Sequence, residues 1–245
     1  MRRFFSFCLL CFFVLGITIS FAVSQEADEI LEKIIEAQGG RKLLESIKDS
    51  TFSGSLEMIQ MGMSGSMTLY HKEPNKMRQN IEIMGMMITI ACDGEIVWMV
   101  NPQTGSAEEM PEKMAEDIKR QALSFGNDSF LNPEKYGITF VHKGKVAIEG
   151  KDYFVLEQTF SDGHKATNYI DAQTYLIYKI DTTSLDQMGI EVETETFMSD
   201  YKKIEGMMFP QSITVFQDGE EYMIMSVTEV NFNSGLEDSL FKMSD

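Results

Sequence analysis

Residues 151–195 read KDYFVLEQTFSDGHKATNYIDAQTYLIYKIDTTSLDQMGIEVETE, and their period decides the fold class. Apolar side chains recur at alternate positions, as Phe154/Leu156, Leu176/Tyr178/Ile180 and Ile190/Val192, while Glu191, Glu193 and Glu195 take the places between. A period of two sends these sets to opposite faces, so the segment predicts antiparallel strands with one apolar and one wet face. Asp162-Gly163 suits a tight hairpin that needs positive φ, and Asp93-Gly94 and Asp218-Gly219 repeat the signal on either side. From Thr51 onward the chain reads as a meander of short strands rich in Thr, Ile, Val and aromatic residues.

Helical spacing appears in few places. Ile30, Leu31, Ile34 and Ile35 follow the acids Glu26, Asp28 and Glu29, and Gly39-Gly40 closes that helix; Leu43, Leu44 and Ile47 predict a short second one. From Pro111 to Phe125, Met114, Ile118, Ala122 and Phe125 share a face, Glu108, Glu109 and Glu112 stand at the start, and Lys119 and Arg120 follow. Ten or so strands with two or three helices exclude a doubly wound parallel sheet, which needs a crossover helix between neighbours. The class is α+β. A long antiparallel sheet with one apolar face must curl, and the amphipathic helices are the available cover for its hollow side.

The chain has 245 residues, 43% hydrophobic and 24% charged, with 38 acids against 21 lysines and arginines. The net charge of −17 argues against nucleic acid as a partner and against direct attraction to anionic lipid. Arg2 and Arg3 precede an apolar run from Phe4 to Ile19, and Ala22-Val23-Ser24 supplies the small residues of a peptidase site before Gln25. Residues 1–24 therefore read as a signal peptide and 25–245 as one exported domain, with an uncleaved anchor as the competing reading. Cys8 and Cys11 follow Phe7 and Leu10 rather than a small residue, which argues against lipidation there. Without the leader the net charge is −19 and Cys92 is the only cysteine, so no disulfide forms within one chain and Cys92 reads as a buried small residue.

No catalytic constellation is legible. His71, His142 and His164 lack zinc spacing, and there is neither a nucleophile elbow nor a phosphate-binding glycine loop. Ser64 reads as a turn serine, and Glu191, Glu193 and Glu195 as a solvated strand face. The expectation is no enzyme, no metal and no cofactor. Methionine is the unusual feature: Met58, Met61, Met63, Met67, Met77, Met84, Met86 and Met87 crowd into thirty residues. Alternate hairpin tips of a meander share a sheet edge, so Met61-Gly62-Met63 and Met84-Gly85-Met86 should form a rim opposite the Glu73-Pro74-Asn75 turn. Core packing, a lipid entrance or docking lip, and a thioether site for Cu(I) all fit that composition, although neither tip holds a histidine or cysteine.

The order of turn motifs carries a resemblance. Lys72-Glu73-Pro74-Asn75, Asp93-Gly94, Trp98, Asn101-Pro102 and Gly105 are followed by Tyr169-Ile170-Asp171, Asp200-Tyr201, Gly206, Phe209-Pro210 and a terminal run from Asn233 to Phe241. Over nearly all of the mature chain this resembles the LolA-like outer-membrane lipoprotein-sorting proteins. The resemblance implies an incomplete β-barrel whose concave apolar face is covered by helices. It implies a periplasmic carrier that takes acyl chains of a lipoprotein or lipid from an inner-membrane donor to an outer-membrane acceptor, and does not itself span a membrane. A non-enzymatic envelope sensor or interaction module on the same fold is the alternative. The alternating pattern nominates Ile81, Ile83, Ile96, Trp98, Val100, Phe154, Leu156, Ile190, Val192, Ile213 and Val215 as cavity residues, with Met114 and Ile118 from a helical lid. In the family a basic residue before the turn proline holds the lid shut. Here Glu73 stands there, an acceptor without a donor at neutral pH, so that latch is not expected; either another pair closes the lid, with Lys119 or Arg120 as candidates, or the lid is looser.

Overall fold

The computed structural model describes residues 26–101, 104–186 and 188–243, so the expected signal peptide lies outside the described residues. A helix over residues 26–38 (α1) and a short one at Arg41–Ser46 (α2) lead into six strands: β1 (Asp49–Met58), β2 (Met63–Lys72), β3 (Lys76–Ile83), β4 (Met86–Cys92), β5 (Val97–Val100) and β6 (Ala107–Glu109). Helices α3 (Glu112–Phe125) and α4 (Asn127–Leu131) separate these from β7 (Thr139–Ile148), β8 (Lys151–Thr159), β9 (Lys165–Asp171), β10 (Ile177–Leu185) and β11 (Glu191–Ser199). A small hairpin, β12 (Lys202–Ile204) with β13 (Met207–Phe209), precedes β14 (Ser212–Gln217) and β15 (Glu220–Phe232).

Thirteen strands form one antiparallel sheet in the order β6-β5-β4-β3-β2-β1-β15-β14-β11-β10-β9-β8-β7. The last strand closes against the first, joining the two halves through β1 and β15, while β6 and β7 remain the free edges of an unclosed barrel. Register shifts drive the curl: they fall between Ser53 and Gly54, His142 and Lys145, Ile177 and Lys179, and Val215 and Phe216. Each such irregularity bends a strand and adds twist. Glycine allows the tightest approaches. A Cβ on Gly54 would lie 2.0 Å from the Ser226 carbonyl oxygen, and one on Gly65 2.2 Å from that of Glu82.

The helices cover one end of the concave face. Ala115 and Ala122 of α3 pack on Phe52, Leu69, Met77, Cys92 and Val97, and Ala27, Ile30 and Ile34 of α1 on Leu156 and Ile170. Leu31, Ile35, Leu44 and Leu131 join α1, α2 and α4, and Phe209 of the β12–β13 arm stacks on Phe52 at 4.7 Å. Cys92 is fully buried and its thiol is pushed up by burial. The expected apolar stripe of α3 needs one correction: Phe125 is 50% exposed. The helix lies between the two halves of the sheet, so its buried surface is wider than one stripe, and Leu123 packs toward Phe160, Ala166 and Ile180.

At the same end of β1–β5 the convex face is covered as well, by the C-terminal segment. Asp49 accepts hydrogen bonds from the backbone of Ser234, Gly235 and Leu236, Asp238 pairs with Lys72 and Lys76 at 2.7 and 2.8 Å, and Phe241 is wholly buried. Among the described residues no helix is long and apolar enough to cross a membrane.

Candidate functional site

Away from the helices the concave face forms a trough. Residues directly opposite in an antiparallel pair project to the same side. Met58 faces Met63 and Met223, Leu56 faces Met225, Met67 faces Ile81, Gly65 faces Ile83, and Met225 and Met223 face Ile213 and Val215. Thr196 continues the row from Val215 to Ile180, which places Val192, four residues before Thr196 on β11, on this face too. Leu56, Met67 and Ile83 are buried, whereas Met58, Met63, Ile81, Val192, Ile213 and Met225 keep part of their surface uncovered. Both halves of the sheet thus contribute to one apolar floor.

Helix α3 borders that floor and is tied down by polar contacts. Arg120 reaches Asp162 on the β8–β9 turn at 2.6 Å and Asp117 on its own helix at 2.9 Å, and Lys113 pairs with Glu191 at 3.1 Å. The cleft of about 590 Å³ between α3 and the β8–β9 and β10–β11 turns is lined by these groups and by His164. The His164 Nε2 lies 2.8 Å from Thr182 Oγ1. Of the two cations nominated as a replacement latch, Arg120 crosses to the sheet, whereas Lys119 pairs within the helix with Glu116.

The turn before β3 supplies a second tie that the sequence did not disclose. The Glu73 carboxylate accepts the backbone N–H of Asn127 at 2.6 Å and of Asp128 at 3.4 Å, where α3 passes into α4. No donor side chain is needed because the helix start presents unpaired amides. The basic latch is absent, as Glu73 in that position requires, and the turn holds the helices in another way, with the carboxylate as acceptor. Gly126 makes room for it, since a Cβ there would sit 2.6 Å from the Pro74 carbonyl oxygen and 2.9 Å from Glu73 Oε2. Burial pushes Glu73 up to about 6, against the two amide hydrogen bonds. Two residues earlier, buried His71 is pushed down to about 4 by desolvation, although the Ala122 and Pro74 carbonyls favour its proton.

The nominated cavity residues divide by place. Ile81, Ile83, Val192, Ile213 and Val215 line the trough, Ile118 packs on the core cluster beneath α3, and Met114 is near Gly189, where an added Cβ would lie 4.0 Å from its Cγ. Leu156 and Phe154 belong to the core under α1. Ile96 and Ile190 stand in turns, 41% and 55% exposed. Trp98 and Val100 are on the opposite face: Trp98 donates its indole N–H to the Phe241 carbonyl at 2.8 Å and carries the Arg78 guanidinium over its ring. The C-terminal segment buries the convex side there, so an apolar residue does not mark the hollow. Met61 and Met63 do lie at the same sheet edge as Met84 and Met86, with Met63 packed beside Met58 and the other three exposed.

The arrangement of curled sheet, roofing helices and free edges is shared with solved structures. A domain from Vibrio parahaemolyticus described as an outer membrane lipoprotein-sorting protein has a TM-score of 0.59 at 16% identity, covering 88% of this chain and 97% of its own. A LolA superfamily protein from Nitrosomonas europaea has a TM-score of 0.59 at 15% identity, and a DUF1329 family protein from Desulfovibrio piger 0.58 at 15%, both with the same coverage. A family model described as "-like: Uncharacterized protein" matches residues 83–245. The chain belongs to that family and has the LolA-like fold. No curated protein matches the sequence. In this LolA-like fold the matched stretch runs from the end of β3 to the C-terminus, taking in α3, both of its ion-pair ties and the Val192 and Val215 side of the trough.

Proposed function

We propose that the protein is a non-enzymatic extracytoplasmic carrier, a single exported domain over residues 25–245, that shelters the acyl chains of a lipoprotein or lipid in the trough beside α3. The observation that carries this reading is the partly uncovered apolar floor contributed by both halves of the sheet. Sheltering roughly fifteen methylenes removes about 12 kcal/mol of exposure to water at ~0.8 kcal/mol each. That is enough to justify a container between an inner-membrane donor and an outer-membrane acceptor. Helix α3 suits a lid because it seats on β3–β5 mainly through alanines and is tied at its flanks by exchangeable polar contacts.

Native mass spectrometry of the exported protein, with uptake of a fluorescent fatty-acid probe, tests the reading. A bound mass of lipid size is expected, and Val192→Asp or Ile81→Asp should weaken probe binding at least tenfold while the protein stays folded. Leu156→Asp is no test, because that side chain is wholly buried under α1. Absence of both lipid and probe binding would favour the second reading, an envelope interaction module, which the packing of Phe209 on Phe52 at the helix end supports.

A further inference from the structure

The lip at the open end of the trough has a chemistry that acyl-chain carriage does not require. Met84 is 78% exposed, Met86 56%, Met87 51%, Met61 49% and Ile59 40%. The strands bring their turns together, since Met58 pairs with Met63, Gly65 with Ile83, and Ile83 with Met86. The Asp218-Gly219 turn joins them through the pairing of Met58 with Met223 and a 3.3 Å hydrogen bond from Gln60 to Glu220. Exposed apolar surface concentrated in this way marks a contact site rather than scattered surface residues.

Its charges are of one sign. Residues 55–66, 81–90 and 216–226 contain Glu57, Glu82, Asp218, Glu220 and Glu221 and no lysine, arginine or histidine. The cations of the same strands, Lys72, Lys76 and Arg78, sit at the far end, where the C-terminal segment engages them. Thioethers are unbranched and polarizable and adapt to many apolar shapes, while carboxylates with no lysine or arginine beside them attract cations and repel acidic surfaces.

We propose that this lip docks a basic amphipathic segment of a partner protein, its apolar face on Met61, Met84, Met86 and Met87 and its lysines or arginines against Glu57, Glu82, Asp218 and Glu220. From β4 to β14 the lip spans five strand spacings, about 24 Å, the length of roughly sixteen helical residues. A neutral lipid surface would leave the carboxylates without a partner. A second copy placed lip to lip would oppose acid to acid. The inference does not rest on lipid carriage.

A labelled sixteen-residue Leu/Lys amphipathic peptide, its Leu/Glu counterpart and phosphatidylcholine vesicles are titrated against the protein at 0.15 M salt. Binding of the Leu/Lys peptide at least tenfold tighter than the Leu/Glu peptide is expected. It should weaken at least tenfold both in the triple variant Met61→Ser, Met84→Ser, Met86→Ser and in Glu57→Gln, Glu82→Gln, Glu220→Gln, with unchanged melting temperatures. Val192→Asp should leave it intact, which separates this result from the outcome for the trough. Equal binding of the two peptides overturns the proposal, as does binding indifferent to the methionine variant, which would be general attraction to an acidic protein. Vesicle binding or self-association abolished by the methionine variant would assign the lip to a membrane or a second copy and overturn it too.

Discussion

At the turn between β2 and β3, His71 and Glu73 respond to acid in opposite senses. His71 is held below its usual 6.5, at about 4, so its contribution to stability is complete above pH 6.5 and is lost as pH falls toward 4. Glu73 is held above its usual 4.5, at about 6, so its contribution is complete below pH 4.5 and is lost as pH rises through 6. The histidine shift is the larger, so net stability from the pair should fall on acidification, with Glu73 offsetting part of the loss. Urea unfolding midpoints between pH 7 and 4 check this. His71→Gln should remove about 2 to 3 kcal/mol of the acid-induced loss, and Glu73→Gln should make the fall steeper. Gln at 73 still accepts one backbone amide, which keeps the tie while removing the ionisation.

Among the elements, α3 is where sequence and structure agree on position and differ on contacts. Its span was legible because helical spacing, the proline start and the acidic first turn are all local. Its ties were not, since Glu73 lies 54 residues from Asn127 and Arg120 lies 42 from Asp162, and periodicity carries no information at that range. The same limit affected the strands. Alternation separates two faces, as Val192 and Glu191 show, but it does not say which face is concave or whether a distant segment buries the other one. Trp98 and Val100 were misplaced for that reason. Removing the Arg120 tie tests the role of the helix. Arg120→Ala leaves Asp117 nearly buried without its cation, so a loss of about 2 kcal/mol is expected. Hydrogen exchange of α3 amides should quicken more than that of β1 or β15, and acyl-probe release should quicken with it. Uniform acceleration across the sheet would mean that Arg120 serves global stability rather than the lid.

For the whole molecule, the trough and the packing of the C-terminal segment lie on opposite faces of the sheet. The only tryptophan reports on the convex side, so filling the trough with an acyl probe should leave Trp98 emission unchanged. Phe241→Ala should shift that emission to the red and cost about 3 to 5 kcal/mol, because it empties a wholly buried site at the residue whose carbonyl accepts the Trp98 indole N–H. A Trp98 response to the probe would place the binding site on the other face.

The unclosed ends of the arc have a further consequence. A sheet that stops short of meeting itself offers two rows of unsatisfied backbone groups to any passing strand. One row, β6, is three residues long; the other, β7, is broken between His142 and Lys145 and studded with Lys143 and Lys145. Neither is a good template for polymerisation. The seam between them is thereby guarded against strand-to-strand pairing, and an incomplete arc keeps its hollow without presenting a long, flat border to its own kind.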